Sequence, residues 1–95
     1  MYESKMQSAE TDALYDAILS LKDREACYRF FDDLCTYSEI TAMTQRLQVA
    51  RMLSEGKTFS QISAETGVSS ATITRVNKCL SYGPGGYRSV LQNQK

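Results

Sequence analysis

The sequence predicts an all-α protein with about six helices per chain, on two observations. Through the first 55 residues, apolar side chains recur at steps of three and four residues, and neither glycine nor proline interrupts them. From residue 58 to residue 80, apolar residues are spaced around Gly67 as in two short helices that meet at a turn. No segment requires a strand.

The first two helices are predicted to be amphipathic and to need a partner. The first runs from about residue 9 to residue 21, and its apolar residues fall on one side. Asp23 is a favoured N-cap for the second helix. The apolar residues of the second helix are Ala26, Cys27, Phe30, Phe31, Leu34 and Cys35. They span a wide arc that so small a chain covers poorly, so we expect a core shared by two protomers.

The third helix is predicted to have Ser38 as its N-cap and to stop at Gly56. Glu39 then lies in the first turn, where its charge interacts favourably with the helix dipole. The apolar stripe of this helix consists of Ile40, Met43, Leu47, Ala50 and Leu53. We expect residues 9–55 to form the dimerisation helices of a single domain that spans residues 1–95.

Residues 58–80 read TFSQISAETGVSSATITRVNKCL and predict a helix-turn-helix. Thr58 and Ser69 can each accept a hydrogen bond from a free backbone N–H at the start of one of the two helices. Gly67 lies where the chain reverses, a place that favours a positive φ, and Val68 fills the angle between the helices. Such a motif places its second helix in the major groove of DNA.

The second helix of this motif offers small hydroxyl and methyl side chains to DNA. The predicted base-reading residues project from its amino-terminal and outer side: Ser70, Ala71, Thr72 and Thr74. These side chains permit close approach to base edges, and threonine can also touch a thymine methyl. The predicted phosphate contacts are Arg51, Lys57, Ser69 and Lys78. Because arginine, asparagine and glutamine are missing from the helix tip, we expect recognition to use water and DNA shape as well.

Residues 81–95 are predicted to form a glycine-rich turn and then a short helix or tail. Three glycines and the only proline occur within four residues and end the second helix of the motif near residue 80. Tyr82, Tyr87 and Arg88 flank this turn, where they contact either the DNA backbone or the core.

The formal net charge of zero conceals two oppositely charged halves. Residues 1–39 carry nine acidic and four basic residues, a net charge of −5, whereas residues 40–95 carry two acidic and seven basic ones, a net charge of +5. A basic carboxyl-terminal half suits binding to double-stranded DNA, because neutralising phosphates releases counterions.

Composition argues against several other classes of function. The chain has no histidine, and Cys27, Cys35 and Cys79 form no C-x-x-C pair, so we expect neither a metal site nor an enzyme. No apolar stretch reaches the length of a membrane span, and the amino terminus lacks the pattern of a secretory signal. We therefore expect a cytoplasmic protein that contacts no membrane.

Two runs of residues, within a stretch from Leu34 to Leu80, resemble the Trp repressor family. RLQVARMLSEG at residues 46–56 and ATITR at residues 71–75 match the repressor's pattern. The whole chain, including YGPGGYR at residues 82–88, resembles the YerC/YecD group of Trp-repressor-related proteins. This resemblance implies an intertwined helical homodimer that binds a pseudo-palindromic operator and represses transcription.

The resemblance also implies a pocket for a small-molecule corepressor between the core and the second helix of the motif. Thr36, Arg46 and Arg75 match residues that contact tryptophan in Trp repressors. Val76 replaces a glycine of that pocket, and Cys79 replaces a serine. The valine takes up volume beside the indole ring and the thiol weakens a hydrogen bond, so both changes argue against tryptophan as the ligand. No cofactor other than a small-molecule corepressor is expected.

The residues leave two questions open. The alternative to a DNA-binding regulator is a non-enzymatic helical module that binds a protein or RNA and uses the helix-turn-helix only for packing. The sign of regulation, repression or activation, depends on the family resemblance alone. Strong salt dependence of duplex binding would separate a regulator from an interaction module.

Overall fold

A computed structural model of the chain describes residues 2–93 and shows six α-helices in that range. They are α1 (Ala9–Leu19), α2 (Arg24–Leu34), α3 (Tyr37–Ser54), α4 (Phe59–Thr66), α5 (Ser70–Tyr82) and α6 (Gly86–Asn93). No strand occurs among the described residues. The predicted all-α class with about six helices is confirmed.

The starts of α1 and α2 are fixed by side-chain caps. The Ser8 hydroxyl accepts a hydrogen bond from the Thr11 N–H at 3.0 Å, and the Asp23 carboxylate accepts one from the Ala26 N–H at 2.8 Å. The helix α1 ends two residues earlier than predicted. The Leu21 N–H donates to the carbonyl of Ile18, three residues back, so the helix closes with a tighter turn.

The start of α3 differs from the prediction. Ser38 is not its N-cap, because the helix already begins at Tyr37 and Ser38 lies within its first turn. Thr36, which also belongs to the favoured capping residues, stands directly before the helix. Only two residues, Cys35 and Thr36, therefore separate α2 from α3. Sequence spacing alone did not distinguish two hydroxyl residues so close together.

The end of α3 follows the prediction. Gly56 has a φ of +86°, in the left-handed region that favours glycine. The Gly56 N–H donates to the Leu53 carbonyl at 3.0 Å, and the Lys57 N–H donates to the Met52 carbonyl at 3.1 Å. These bonds satisfy carbonyls that the helix leaves free at its end.

The described chain divides into two compact units. The first unit extends to Tyr37 and contains α1 and α2, and the second begins at Ser38 and contains α3 to α6. Neither α1 nor α2 has a buried residue. The Phe30 and Phe31 rings meet edge to face with centroids 5.6 Å apart, but both remain half-buried. The first unit therefore encloses no core of its own.

The second unit has a core to which every one of its helices contributes. The buried apolar side chains are Val49, Ala50 and Met52 of α3, Ile62 of α4, Val68 of the turn, Ile73 and Val76 of α5, and Leu91 of α6. Leu47, Leu53, Leu80 and Tyr87 pack against them and are partly buried. This core holds the predicted helix-turn-helix against α3 and α6.

Candidate nucleic-acid interface

The first helix of the motif, α4, begins with a reciprocal cap. The Thr58 hydroxyl accepts a hydrogen bond from the Gln61 N–H at 3.1 Å, and the Gln61 side-chain oxygen accepts one from the Thr58 N–H at 2.8 Å. Two backbone donors that the helix cannot satisfy are thereby paired. The predicted cap at Thr58 is confirmed, and Gln61 adds to it.

The turn between α4 and α5 has the expected geometry. Gly67 has a φ of +73°, and its N–H donates to the Ser63 carbonyl at 2.9 Å. The Thr66 hydroxyl donates to the Ile62 carbonyl at 2.6 Å and accepts from the Val68 N–H at 3.2 Å. Val68 itself is buried. The turn is therefore fixed by backbone conformation, by hydrogen bonds and by packing together.

The helix α5 begins at the predicted cap and presents the predicted residues to solvent. The Ser69 hydroxyl accepts from the Thr72 N–H at 3.2 Å and lies 3.1 Å from the Thr72 hydroxyl. We call Ser70, Ala71, Thr72 and Thr74 the reading face. Three of these residues are exposed and Thr72 is partly buried, whereas Ile73 and Val76 on the opposite side are enclosed in the core.

The end of α5 lies at Tyr82, two residues beyond the predicted end. The chain then leaves the helix at Gly83, whose N–H donates to the Cys79 carbonyl at 2.7 Å. A Cβ at Gly83 would collide with that carbonyl oxygen, so a glycine is required for this close approach. The glycine-rich turn does end the helix, but only at its first glycine.

The basic residues near the motif lie in three different environments. Lys78 and Arg75 are exposed on α5. The Lys57 ammonium lies 3.0 Å from a carboxylate oxygen of Glu65, so this cation is already paired within the motif. Arg51, on α3, lines a cavity of about 500 Å³ together with Arg88 of α6. The roles of Arg51, Lys57 and Lys78 as phosphate contacts stay predictions.

The three residues that flank the glycine-rich turn differ in their contacts. Tyr87 is partly buried and packs against the core, whereas Tyr82 is 86% exposed. The Arg88 guanidinium donates to the Ser81 carbonyl at 3.2 Å and links α6 to the end of α5. Of the two contacts left open by the sequence, packing against the core therefore holds for Tyr87 and not for Tyr82.

A groove next to the reading face includes residues of α4 that the sequence did not indicate as part of the site. Phe59, Ser60, Ser63 and Ala64 of α4 line it with Ser70 and Ile73 of α5. The hydroxyls of Ser60 and Ser63, three residues apart, share one side of α4, next to the start of α5. That spacing of small polar residues on α4 was the signal available in the sequence.

Comparison with known proteins decides the family. The family model described as Trp repressor protein matches residues 9–95. The chain belongs to the Trp repressor family. This is a family of DNA-binding regulators rather than enzymes. The assignment agrees with the resemblance seen in the sequence.

Individual relatives place the chain in one group of this family. It is 55% identical to the uncharacterized protein YerC of Bacillus subtilis strain 168, over the whole of this chain and 91% of that protein. A crystal structure from Staphylococcus aureus described as a candidate Trp repressor matches with a TM-score of 0.91 and 49% identity, covering 95% of this chain and 90% of that one. A TrpR-like protein from Eubacterium eligens ATCC 27750 matches with a TM-score of 0.91 and 46% identity, covering 95% and 93%.

The residues that match the corepressor pocket of Trp repressors do not share one environment in this family member. Thr36 is exposed in the first unit, and Arg46 is half-buried on α3. On α5, Arg75 and Cys79 are exposed, whereas Val76 is only 1% exposed and belongs to the core. None of these residues lines either of the two concavities described above. The pocket stays a prediction.

Two further features do not occur among the described residues. Within residues 2–93, no helix is long and apolar enough to cross a membrane. The same range contains no group of three or more histidine, cysteine, aspartate or glutamate side chains that could hold a metal ion.

Proposed function

We propose that this protein is a sequence-specific transcriptional regulator that binds double-stranded DNA as a homodimer and represses transcription. The observation that carries the proposal is the helix-turn-helix itself. Both of its helices start at side-chain caps, its turn is buried at Val68, and three of the four residues of its reading face, Ser70, Ala71 and Thr74, are exposed. Membership of the Trp repressor family supports the same function and supplies the sign of regulation.

The exposed apolar side chains of the first unit support a homodimer. Large apolar side chains of α1 and α2 are exposed, among them Tyr15, Leu19, Tyr28 and Leu34. Exposed apolar side chains of this number on two adjacent helices are typical of an interaction surface. A second copy of the chain is the partner we propose, because a two-fold dimer presents two identical reading helices to DNA. Its half-sites would lie about 34 Å apart, one turn of the duplex.

Base recognition in this proposal depends on small side chains. Ser70, Ala71 and Thr74 let α5 approach the edges of the bases closely, and their hydroxyls and methyls contact them directly. The Thr72 hydroxyl lies 3.1 Å from that of Ser69 at the start of α5, where the free backbone N–H groups of a helix favour a DNA phosphate. Lys78 and Arg75 supply positive charge on the same helix. Specificity would therefore combine base contacts with water and DNA shape.

The experiment that tests the proposal is selection of bound duplexes from a random pool. The purified full-length chain would be incubated with the pool at two salt concentrations, and the retained DNA sequenced. We expect enrichment of a pseudo-palindrome, with retention that falls at the higher salt. Triple substitution of Ser70, Ala71 and Thr74 by glutamate should abolish retention, whereas glutamate at three exposed neutral residues outside the motif, Gln48, Ser89 and Asn93, adds the same charge and should leave retention unchanged.

The same experiment distinguishes the proposed regulator from the alternative function, a module that binds a protein or RNA. If no duplex is retained at either salt concentration, the helix-turn-helix is a packing motif and the protein is an interaction module. Retention without enrichment of any sequence would contradict the sequence-specific part of the proposal while leaving DNA binding intact.

A further inference from the structure

One side of α5, the helix that carries the reading face, is packed into the core. Val76 is 1% exposed and Ile73 is fully buried, although Thr74 and Arg75 between them are exposed. Both buried residues belong to a cluster that includes residues of α3, α4 and α6. The reading face and this buried side are therefore two sides of one short helix.

The two ends of α5 are restrained as well. At its start, the Ser69 cap and the buried Val68 follow directly from the turn. At its end, the Arg88 guanidinium of α6 holds the Ser81 carbonyl, and Tyr87 packs against the core. Rotation of α5 would expose Ile73 and Val76 and break these contacts. Because packed interiors are close to crystalline density, such rotation is not a small adjustment.

We propose that Val76 is a positioning residue that fixes the orientation of the reading face, so that the protein binds its DNA without any small-molecule corepressor. This inference rests on the proposed DNA-binding function and concerns its regulation. A glycine at this position would leave a space beside the core that a ligand could fill, and would also loosen the helix. The valine fills that space permanently.

The first arm of the test measures DNA affinity of two matched variants. Val76→Ala and Val49→Ala each remove two methyl groups from a fully enclosed valine of the same core, on α5 and on α3 respectively. Melting curves would confirm that both remain folded at the assay temperature. We expect Val76→Ala to bind the selected operator about tenfold more weakly than Val49→Ala, because α5 then spends only part of its time in the binding orientation. Equal affinities at equal stability would show that Val76 is only one more core residue and would overturn the inference.

The second arm asks whether a ligand is needed. The wild-type chain would be unfolded, dialysed, refolded and assayed on its operator with and without L-tryptophan. We expect the same affinity in both conditions, and we expect Val76→Gly to bind weakly and to gain affinity when indole or L-tryptophan is added. Operator binding by the wild type only with L-tryptophan would overturn the inference and leave the proposed function standing.

The third arm does not depend on DNA. Hydrogen exchange of the α5 backbone amides would be followed in the ligand-free wild type, with the amides of α3 as the internal reference. We expect α5 to be protected to a similar degree as α3 in the wild type and selectively less in Val76→Gly. Fast exchange along α5 of the wild type would overturn the inference. Slow exchange together with no binding to any duplex would instead contradict the proposed function.

Discussion

The amino-terminal unit buries no residue in either of its helices, whereas the carboxyl-terminal unit encloses a core that includes residues of all four of its helices. The two halves of the chain also differ in net charge. Residues 1–39 carry a net charge of −5 and residues 40–95 carry +5. A short chain can complete only one core, and here that core supports the helix-turn-helix. The carboxyl-terminal unit therefore encloses a core without any partner, whereas the amino-terminal unit leaves its apolar side chains to be covered by one.

The largest effect is expected from a charge placed on the uncovered half. Leu34→Asp puts a carboxylate on the half-exposed apolar surface of α2. In a homodimer this charge would be desolvated without a partner, which should weaken dimerisation by about 4 kcal/mol. Sedimentation velocity would show monomers. Tyr82→Asp, at an exposed tyrosine of the second unit, should leave the dimer intact. Equal dissociation by both variants would remove the distinction between the units.

A smaller effect is expected from a cavity in the self-contained half. Ile62 of α4 is fully buried, and Ile62→Ala should lower the free energy of unfolding by about 3 kcal/mol. The adjacent Ser63→Ala, at an exposed position, should change it by less than about 0.5 kcal/mol. Urea unfolding followed by circular dichroism measures both. A minor loss for Ile62→Ala would mean that the second unit depends less on its core than we infer.

A still smaller effect is expected at the turn of the motif, where Gly67 has a positive φ. A Cβ at Gly67 would meet no atom within 4 Å, but its φ of +73° is unfavourable for alanine. Gly67→Ala should therefore cost about 1 kcal/mol through backbone strain alone. Gly86→Ala, at a glycine without positive φ and without neighbours for its Cβ, is the matched control and should cost less. If both variants have the same melting temperature, Gly67 does not relieve backbone strain at the turn.

The smallest effect concerns the charge difference between the halves. Lys78 is exposed on the reading helix and Lys22 is exposed between α1 and α2. Lys78→Ala should lower the slope of log affinity against log salt by about one for each protomer and weaken binding to all duplexes alike. Lys22→Ala should leave the slope unchanged. Titrations by fluorescence anisotropy at several salt concentrations would detect the difference, and identical slopes would contradict phosphate contact by Lys78.

Local chemistry made much of this fold predictable. The caps at Asp23, Thr58 and Ser69 and the positive φ of Gly67 each depend on one residue type at one position, and all four are observed. The apolar spacing around Gly67 predicted two short helices that meet at a turn, and α4 and α5 meet there.

The sequence failed to predict two kinds of feature: the choice between neighbouring cap residues, and contacts between residues that are far apart in the sequence. Ser38 was expected to cap α3, but the helix starts one residue before it. The ion pair of Lys57 with Glu65 joins residues eight positions apart across α4, and no local pattern indicates it. The spacing of Ser60 and Ser63 on α4 was a local signal, but their place in a groove shared with Ser70 depends on the folded turn and was missed.

In the helix-turn-helix, the residues that hold the turn are different from those of the reading face. The hydrogen bonds that hold the turn are made by Thr66, Gly67 and Val68, and none of them uses Ser70, Ala71 or Thr74. These three positions can therefore be exchanged at little cost to folding. Under the proposed function, substitutions at these positions would change which operator the protein binds while the turn beneath them stays unaltered.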